Sequence, residues 1–296
     1  MMVDQAESLR NIVKQRQEVI QPPKVQVTSR VITVTSGKGG VGKSNFTANL
    51  GISLSKTGKR VVIIDADFGL ANIEVLFGII PQYSLANVLS GQKELKDIIS
   101  EGPHGVKFLS GGSGLRDLAN INERQMTYII EKLSYLDSVS DIILIDTGAG
   151  ISDSVLNFVK ASKEAVIITT PEPTSVTDGY AIIKAVRESN GDMPEIKVII
   201  NRVDDSKEGF EIFDKISKVA KRFLEVDLTN LGYIPYDNNV IRAVKSQQPL
   251  IMTYPNSEAS KAIEAIAGRL LDSSLPLVEQ KAGIKGFMRR LSGIFK

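Results

Sequence analysis

The run Gly37-Lys38-Gly39-Gly40-Val41-Gly42-Lys43-Ser44 directly follows the apolar segment Val31-Ile32-Thr33-Val34. Its spacing, G-x-x-x-x-G-K-[ST], is that of a phosphate-cradling loop where a strand feeds a helix. Glycines lack the Cβ that would keep backbone N–H groups away from phosphate oxygens. Lys43 is expected to reach the β/γ-phosphates and the Ser44 hydroxyl to bind Mg²⁺, with Asn45 beside them. Two further strand ends supply acids. Asp65 ends Val61-Val62-Ile63-Ile64, with Asp67 two residues on. An acid there can hold a Mg²⁺-bound water, and one projecting further can orient an attacking water. Asp146 closes Ile142-Ile143-Leu144-Ile145, the expected place for an acid that meets Mg²⁺ through water.

The loop carries a second lysine, Lys38, right after its first glycine. Phosphates already neutralised by Lys43, Mg²⁺ and helix amides need no further cation in cis. A lysine here suits a role in trans, like the charge supplied by an arginine finger. On this residue the chain resembles the deviant P-loop, or signature-lysine, ATPases, the group of MinD, ParA and the nitrogenase iron protein. The resemblance implies a doubly wound α/β P-loop fold, ATP and ADP as ligands, and a nucleotide-sandwich homodimer with Lys38 crossing the interface. Asp65-Ala66-Asp67-Phe68-Gly69-Leu70-Ala71-Asn72 resembles the family's D-x-D-x-G-L-x-N switch stretch. It implies Asp67 as the hydrolysis-directing acid and Asn72 near the phosphates or the dimer face. After Asp146 the family usually has D-[ST]-P-A-G. Here Gly148 replaces the proline, which leaves the metal role intact and widens the loop's backbone freedom.

Asn201-Arg202 and the loop containing Pro235-Tyr236 resemble the family's adenine-side loops. An amide can pair with the adenine edge, and a proline loop can line the ring. Thr170-Pro171-Glu172-Pro173 and Asp178 occupy the family's dimer-facing position. The sole histidine, His104, stands in a Gly-Pro-His-Gly turn, and nothing around it points to Ser/His/Asp catalysis or a histidine metal site.

Both ends carry their own signals. Phe287, Met288, Leu291, Ile294 and Phe295 recur at helical spacing, flanked by Lys285, Arg289 and Arg290. The segment resembles MinD's membrane-targeting tail and implies contact with anionic membrane lipid. So short a helix is marginal alone in water, and it is expected to order only at a bilayer. Near the other end, Asp4-Gln5-Ala6-Glu7-Ser8-Leu9-Arg10 opens a polar helix ended by Pro22-Pro23. This string resembles the activator segment of the flagellar-number branch, the FlhG (FleN or YlxH) ATPases. There Asp4, Gln5, Ala6, Leu9 and Arg10 are implied to contact the SRP-type GTPase FlhF and stimulate its GTP hydrolysis. Flagellar basal-body (C-ring) proteins are implied as further partners. Division-site MinD, a ParA partitioning ATPase and a nucleotide-gated scaffold with negligible turnover remain the alternatives.

The elements that must position these residues follow a simple alternation. Strands are predicted at 30–35, 61–66, 106–109, 141–146, 165–170, 196–201 and 231–235. Most are continuous Val/Ile/Leu runs, as parallel strands buried on both faces require. Helix-length segments such as 43–57, 123–136, 151–162, 177–189 and 207–224 separate them, giving a doubly wound, mostly parallel sheet with nucleotide at the strands' carboxyl ends. The expected organisation is an activator helix and linker at 1–24, an ATPase domain at 25–275 and a tail at 276–296. The last sixteen residues hold five basic residues and no acid, so the other 280 sum to −3 against a net charge of +2. That favours a local anionic contact over a body-wide or sequence-specific nucleic-acid surface. Zero cysteines argue against a disulfide framework or a cysteine-ligated cluster. No run of eighteen apolar residues and no secretory signal is found, so a cytoplasmic protein, peripheral to the inner face of the membrane when ATP-bound, is expected.

Overall fold

The apolar runs pair side by side in the computed structural model, which describes residues 28–67, 72–110, 123–189, 192–272 and 283–294. The activator segment with Asp4, Gln5, Ala6, Leu9 and Arg10 lies outside the described residues, as do Phe295 and the predicted boundary near 276. Among the described residues eight strands are formed: β1 Arg30–Ser36, β2 Val61–Ala66, β3 Ser100–Glu101, β4 Lys107–Ser110, β5 Ile142–Ala149, β6 Glu164–Thr169, β7 Glu195–Val203 and β8 Leu228–Pro235. Their order across the sheet is β3-β4-β2-β5-β1-β6-β7-β8, with β3 antiparallel to β4 and every other pair parallel. From β1 the chain first works outward on one side through β2 and then returns to build the other side. This places β1 at the crevice where an open α/β sheet binds ligands.

Alternate strand residues serve opposite faces. Ile32, Val34, Ile63 and Leu144 join a core beneath α1 (Lys43–Lys56). Ile64, Ile143 and Ile145 join a second core on the other face. Around the sheet follow α2 (Asn72–Phe77), α3 (Glu123–Leu133), α4 (Asp153–Ala161), α5 (Pro173–Glu188), α6 (Ser206–Leu224), α7 (Asn238–Lys245), α8 (Glu258–Asp272) and α9 (Gly283–Ile294). β5 runs three residues past Asp146, and Gly148, with the N–H that a proline lacks, lies within it. At the opposite end of the sheet, buried Arg30 and Lys197 both hold Glu164, at 2.6 Å each. Burial alone would raise the Glu164 carboxyl, but the two cations together hold it below the usual carboxylate range.

The C-terminal helix corrects the expectation of a tail that orders only at a bilayer. α9 is docked, with Ile284, Phe287, Met288 and Leu291 buried in the second core. Phe287 stacks on Phe158 of α4 with centroids 6.1 Å apart. The Ile284 N–H donates to Asp137 Oδ1 at 3.0 Å, and Arg290 Nε donates to the Ala161 carbonyl at 2.7 Å. Isolation made the helix marginal; here its own domain supplies the apolar cover, worth about 1.5–3 kcal/mol per large side chain. Lys285, Arg289 and Ile294 stay exposed. Among the described residues no helix is long and apolar enough to cross a membrane.

Candidate active site

β1 delivers its chain into a loop whose shape depends on particular glycines. Gly40 and Gly42 have φ of +80° and +95°, a region that glycine enters at no steric cost. At Gly37 a Cβ would sit 2.3 Å from the backbone carbonyl carbon of Asp178 on α5, so only glycine lets the loop pass that close. Gly42 is the N-cap of α1, and its carbonyl accepts from the Phe46 N–H at 2.9 Å. The loop amides therefore open at the positive end of a fourteen-residue helix, an arrangement that favours phosphate.

Lys43 lies against both Ser44 and Asp146. Lys43 Nζ lies 3.0 Å from Asp146 Oδ1 and 3.3 Å from Ser44 Oγ. Thr47, one turn further along α1, donates to the same Asp146 oxygen at 2.9 Å. Sequence reasoning passed over Thr47, although its i+4 spacing from Lys43 was the available signal. Asp146 Oδ2 is buried and accepts no hydrogen bond. A buried, orphaned carboxylate oxygen on Asp146 and the Ser44 hydroxyl, both of whose side chains neighbour the Lys43 ammonium, fit a hydrated Mg²⁺, which takes one or two protein oxygens and keeps several waters.

Asp65 stands beside Asp146 in the sheet register, and Asp67 follows on the loop that leaves β2. The Asp65 carboxyl is pushed up to about 7, mainly by burial and next by the charge of Asp146. It accepts three backbone N–H groups, from Asp67 at 3.1 Å, Asn72 at 3.0 Å and Ile73 at 3.1 Å. The Asn72 amide in turn donates to Asp67 Oδ2 at 3.2 Å. Asp67 and Asn72 are thus brought together at the carboxyl edge of the sheet.

Lys38 is held in cis. Its ammonium donates to Glu172 Oε2 at 2.9 Å and to Thr174 Oγ1 at 3.1 Å, at the start of α5. Both partners of the ion pair are solvent-exposed, and Lys38 holds the Glu172 carboxyl below its usual range. Asp178 packs its backbone against Gly37 one turn later.

Next to the loop is a cavity of about 340 Å³ lined by Asn45, Asn201, Arg202, Pro235 and Tyr236, together with Phe46 and Ile241, which the sequence reading did not single out. Asn201 Nδ2 donates to the Val41 carbonyl at 2.7 Å, while its Oδ1 accepts the Arg202 N–H at 2.9 Å. Arg202, with φ of +63°, donates to the Gly40 carbonyl at 2.7 Å. Both residues brace the P-loop, and the Asn201 amide keeps one N–H and one lone pair for a ligand. The tail residues Lys285, Phe287, Met288, Arg289, Arg290 and Leu291 sit apart from this site, on the face of the sheet away from α1.

The family described as "ParA: NUBPL iron-transfer P-loop NTPase" matches residues 27–271. The antiactivator FleN of Pseudomonas aeruginosa is 40% identical over 262 residues, 88% of this chain and 93% of that protein. The flagellum site-determining protein YlxH of Helicobacter pylori is 39% identical over 268 residues, 89% of this chain and 90% of that one. The septum site-determining protein MinD of Pyrococcus horikoshii, solved with Mg-ADP, superposes with a TM-score of 0.65 at 25% identity, covering 83% of this chain and 98% of that one. The phosphate loop with its two lysines is thus carried on a fold and a sequence shared over most of their length: the chain belongs to the ParA/MinD family of P-loop NTPases and is an ATPase.

Proposed function

We propose that this ATPase cycles between a monomer and an ATP-bound homodimer at the membrane, and that it regulates flagellar number or placement. The observation that carries the reading is the similarity to FleN and YlxH over nearly nine-tenths of the chain, on a site whose second lysine faces solvent. Hydrolysis is in-line attack of water on the γ-phosphate. Lys43 and the loop amides hold the phosphates, Lys38 of the facing subunit neutralises charge as it develops, and Asp67 places the water. Ser44 and Asp146 would hold Mg²⁺, whose charge would lower the cost of the developing negative charge.

The N-terminal segment is assigned to the GTPase FlhF. A peptide of residues 1–21 is expected to raise GTP hydrolysis by FlhF, with Gln5→Ala removing the effect. An amide can hydrogen-bond a water or a switch backbone without bringing charge. Stimulation by the full chain but not by the peptide would move the activity to another surface. A salt-dependent affinity of the body for DNA would instead favour a partitioning ATPase.

Membrane residence is assigned to α9. Phe287, Met288 and Leu291 cannot face their own core and a bilayer at once, so attachment requires the helix to leave its groove. Dimerisation tethers two such helices, and the second then binds at high effective concentration. Lys285 and Arg289 are exposed in the docked helix, so they can be changed without disturbing it. Each basic residue near an anionic surface contributes about 1 kcal/mol, so Lys285→Gln with Arg289→Gln is expected to weaken binding about thirtyfold for each helix, and by more for a dimer attached through both. Sedimentation with anionic vesicles should fall accordingly in ATP while the melting temperature holds. Equal sedimentation of the unaltered protein in ADP and ATP would contradict the coupling.

A further inference from the structure

The two buried carboxylates at the ends of β2 and β5 are used in different ways. Asp146 gives one oxygen to Lys43 and Thr47 and keeps the other bare. Asp65 gives both of its oxygens to the backbone: Oδ1 accepts the Asp67 N–H, and Oδ2 accepts the first two N–H groups of α2, those of Asn72 and Ile73. Three of about four acceptor sites on the carboxylate are therefore occupied by fixed donors. The two oxygens hold the two ends of one switch segment. Its start is Asp67, and its return is the N-terminus of α2, where an anion is favoured by the orphan helix amides. The Asn72 side chain then closes the ring on Asp67 Oδ2.

We infer that Asp65 is a positioning residue that ties both ends of the switch segment to β2 and so aims Asp67, and that it is not a contact of the Mg²⁺ ion or its waters. This replaces the expectation that Asp65 shares the metal with Ser44 and Asp146. It rests on the reading of Asp67 as the acid that places water. Losing the tie shifts Asp67 relative to the γ-phosphate, and a misplacement on the order of 1 Å costs about a hundredfold in rate. The metal, held through Ser44 and Asp146, is untouched.

The test uses the full chain carrying Asp65→Asn, which keeps the shape but turns one acceptor into an NH₂ group. Three quantities are read: residue-resolved amide exchange without nucleotide, the Mg²⁺ concentration that half-saturates binding of a fluorescent ADP analogue, and single-turnover ATP hydrolysis. Exchange at residues 67, 72 and 73 is expected to accelerate at least tenfold. Hydrolysis should slow about ten- to a hundredfold, with the half-saturating Mg²⁺ within about twofold of the unaltered protein. Asp146→Asn in parallel should raise that Mg²⁺ requirement. A tenfold rise in Mg²⁺ requirement for Asp65→Asn would overturn the inference and make Asp65 a metal contact. Accelerated exchange with unchanged hydrolysis would equally overturn it, leaving a cap with no bearing on Asp67. If Asp65→Asn does not fold, Asn72→Pro removes one of the N–H donors at a helix position that tolerates proline. It should hydrolyse ATP more slowly than Asn72→Ala at an unchanged Mg²⁺ requirement, and equal rates would overturn the inference. Failure of the underlying reading shows separately, as an Asp67→Ala protein that hydrolyses ATP normally.

Discussion

Asp67→Ala is expected to bind ATP with nearly unchanged affinity and to hydrolyse it at least about a hundredfold more slowly, the scale of losing one positioned acid or base. The reason is a division of labour. In this reading phosphate binding rests on the loop amides, Lys43 and Ser44, and the Lys43 ammonium lies against Asp146 and Ser44. Asp67 touches the site through the Asn72 amide and the end of β2, where it can orient a water without holding the nucleotide. With turnover stopped, the protein should accumulate as an ATP-bound dimer. Nucleotide affinity by fluorescence and phosphate release by a coupled assay check this directly. A normal rate of phosphate release would contradict the role given to Asp67.

Lys38→Ala is expected to have the larger effect on rate. A cation supplied across an interface to a transferring phosphoryl group is worth about a thousandfold or more. Its removal should leave nucleotide affinity within a few fold, because Lys43 remains. The surroundings of Lys38 are compatible with that role. Lys38 sits 2.9 Å from Glu172 on the surface, 41% exposed, in an ion pair that water screens. Such a pair is weak enough to exchange for the phosphates of a facing subunit. A Lys38→Ala protein that loses nucleotide binding along with hydrolysis would place the lysine in the cis site instead.

The sequence carried the parallel sheet plainly, because strands covered on both faces read as unbroken Val/Ile/Leu runs, and β2 was placed to the residue. Two-residue β3 and six-residue α2 escaped because neither is long enough to show a period. The phosphate loop was readable for a different reason: its glycines, lysines and serine are fixed by chemistry at fixed spacing. The hydrogen bonds of Asp65 were not, since its partners are backbone N–H groups that any residue supplies. The docking of α9 shows the same limit. Periodicity reveals that Phe287, Met288 and Leu291 form one apolar face, but the groove that receives them is built from Leu133, Ile145 and Phe158, far away in the chain. Similarly, Asn201 was recognised for its amide, while the P-loop carbonyl that occupies part of it lies 160 residues earlier.

The central claim, a nucleotide sandwich in which Lys38 of one subunit serves the site of the other, is tested most directly by mixing two inactive proteins. Lys38→Ala and Asp67→Ala are combined in equal amounts as monomers before ATP is added. In a mixed dimer the Lys38→Ala subunit keeps its own Asp67 and receives Lys38 from its partner, so one complete site forms. Random pairing at the start gives mixed dimers half the time, each with one working site of two, and the account predicts an initial rate of roughly a quarter of the unaltered one, before Asp67→Ala dimers accumulate. A mixture that stays as inactive as either protein alone would contradict it.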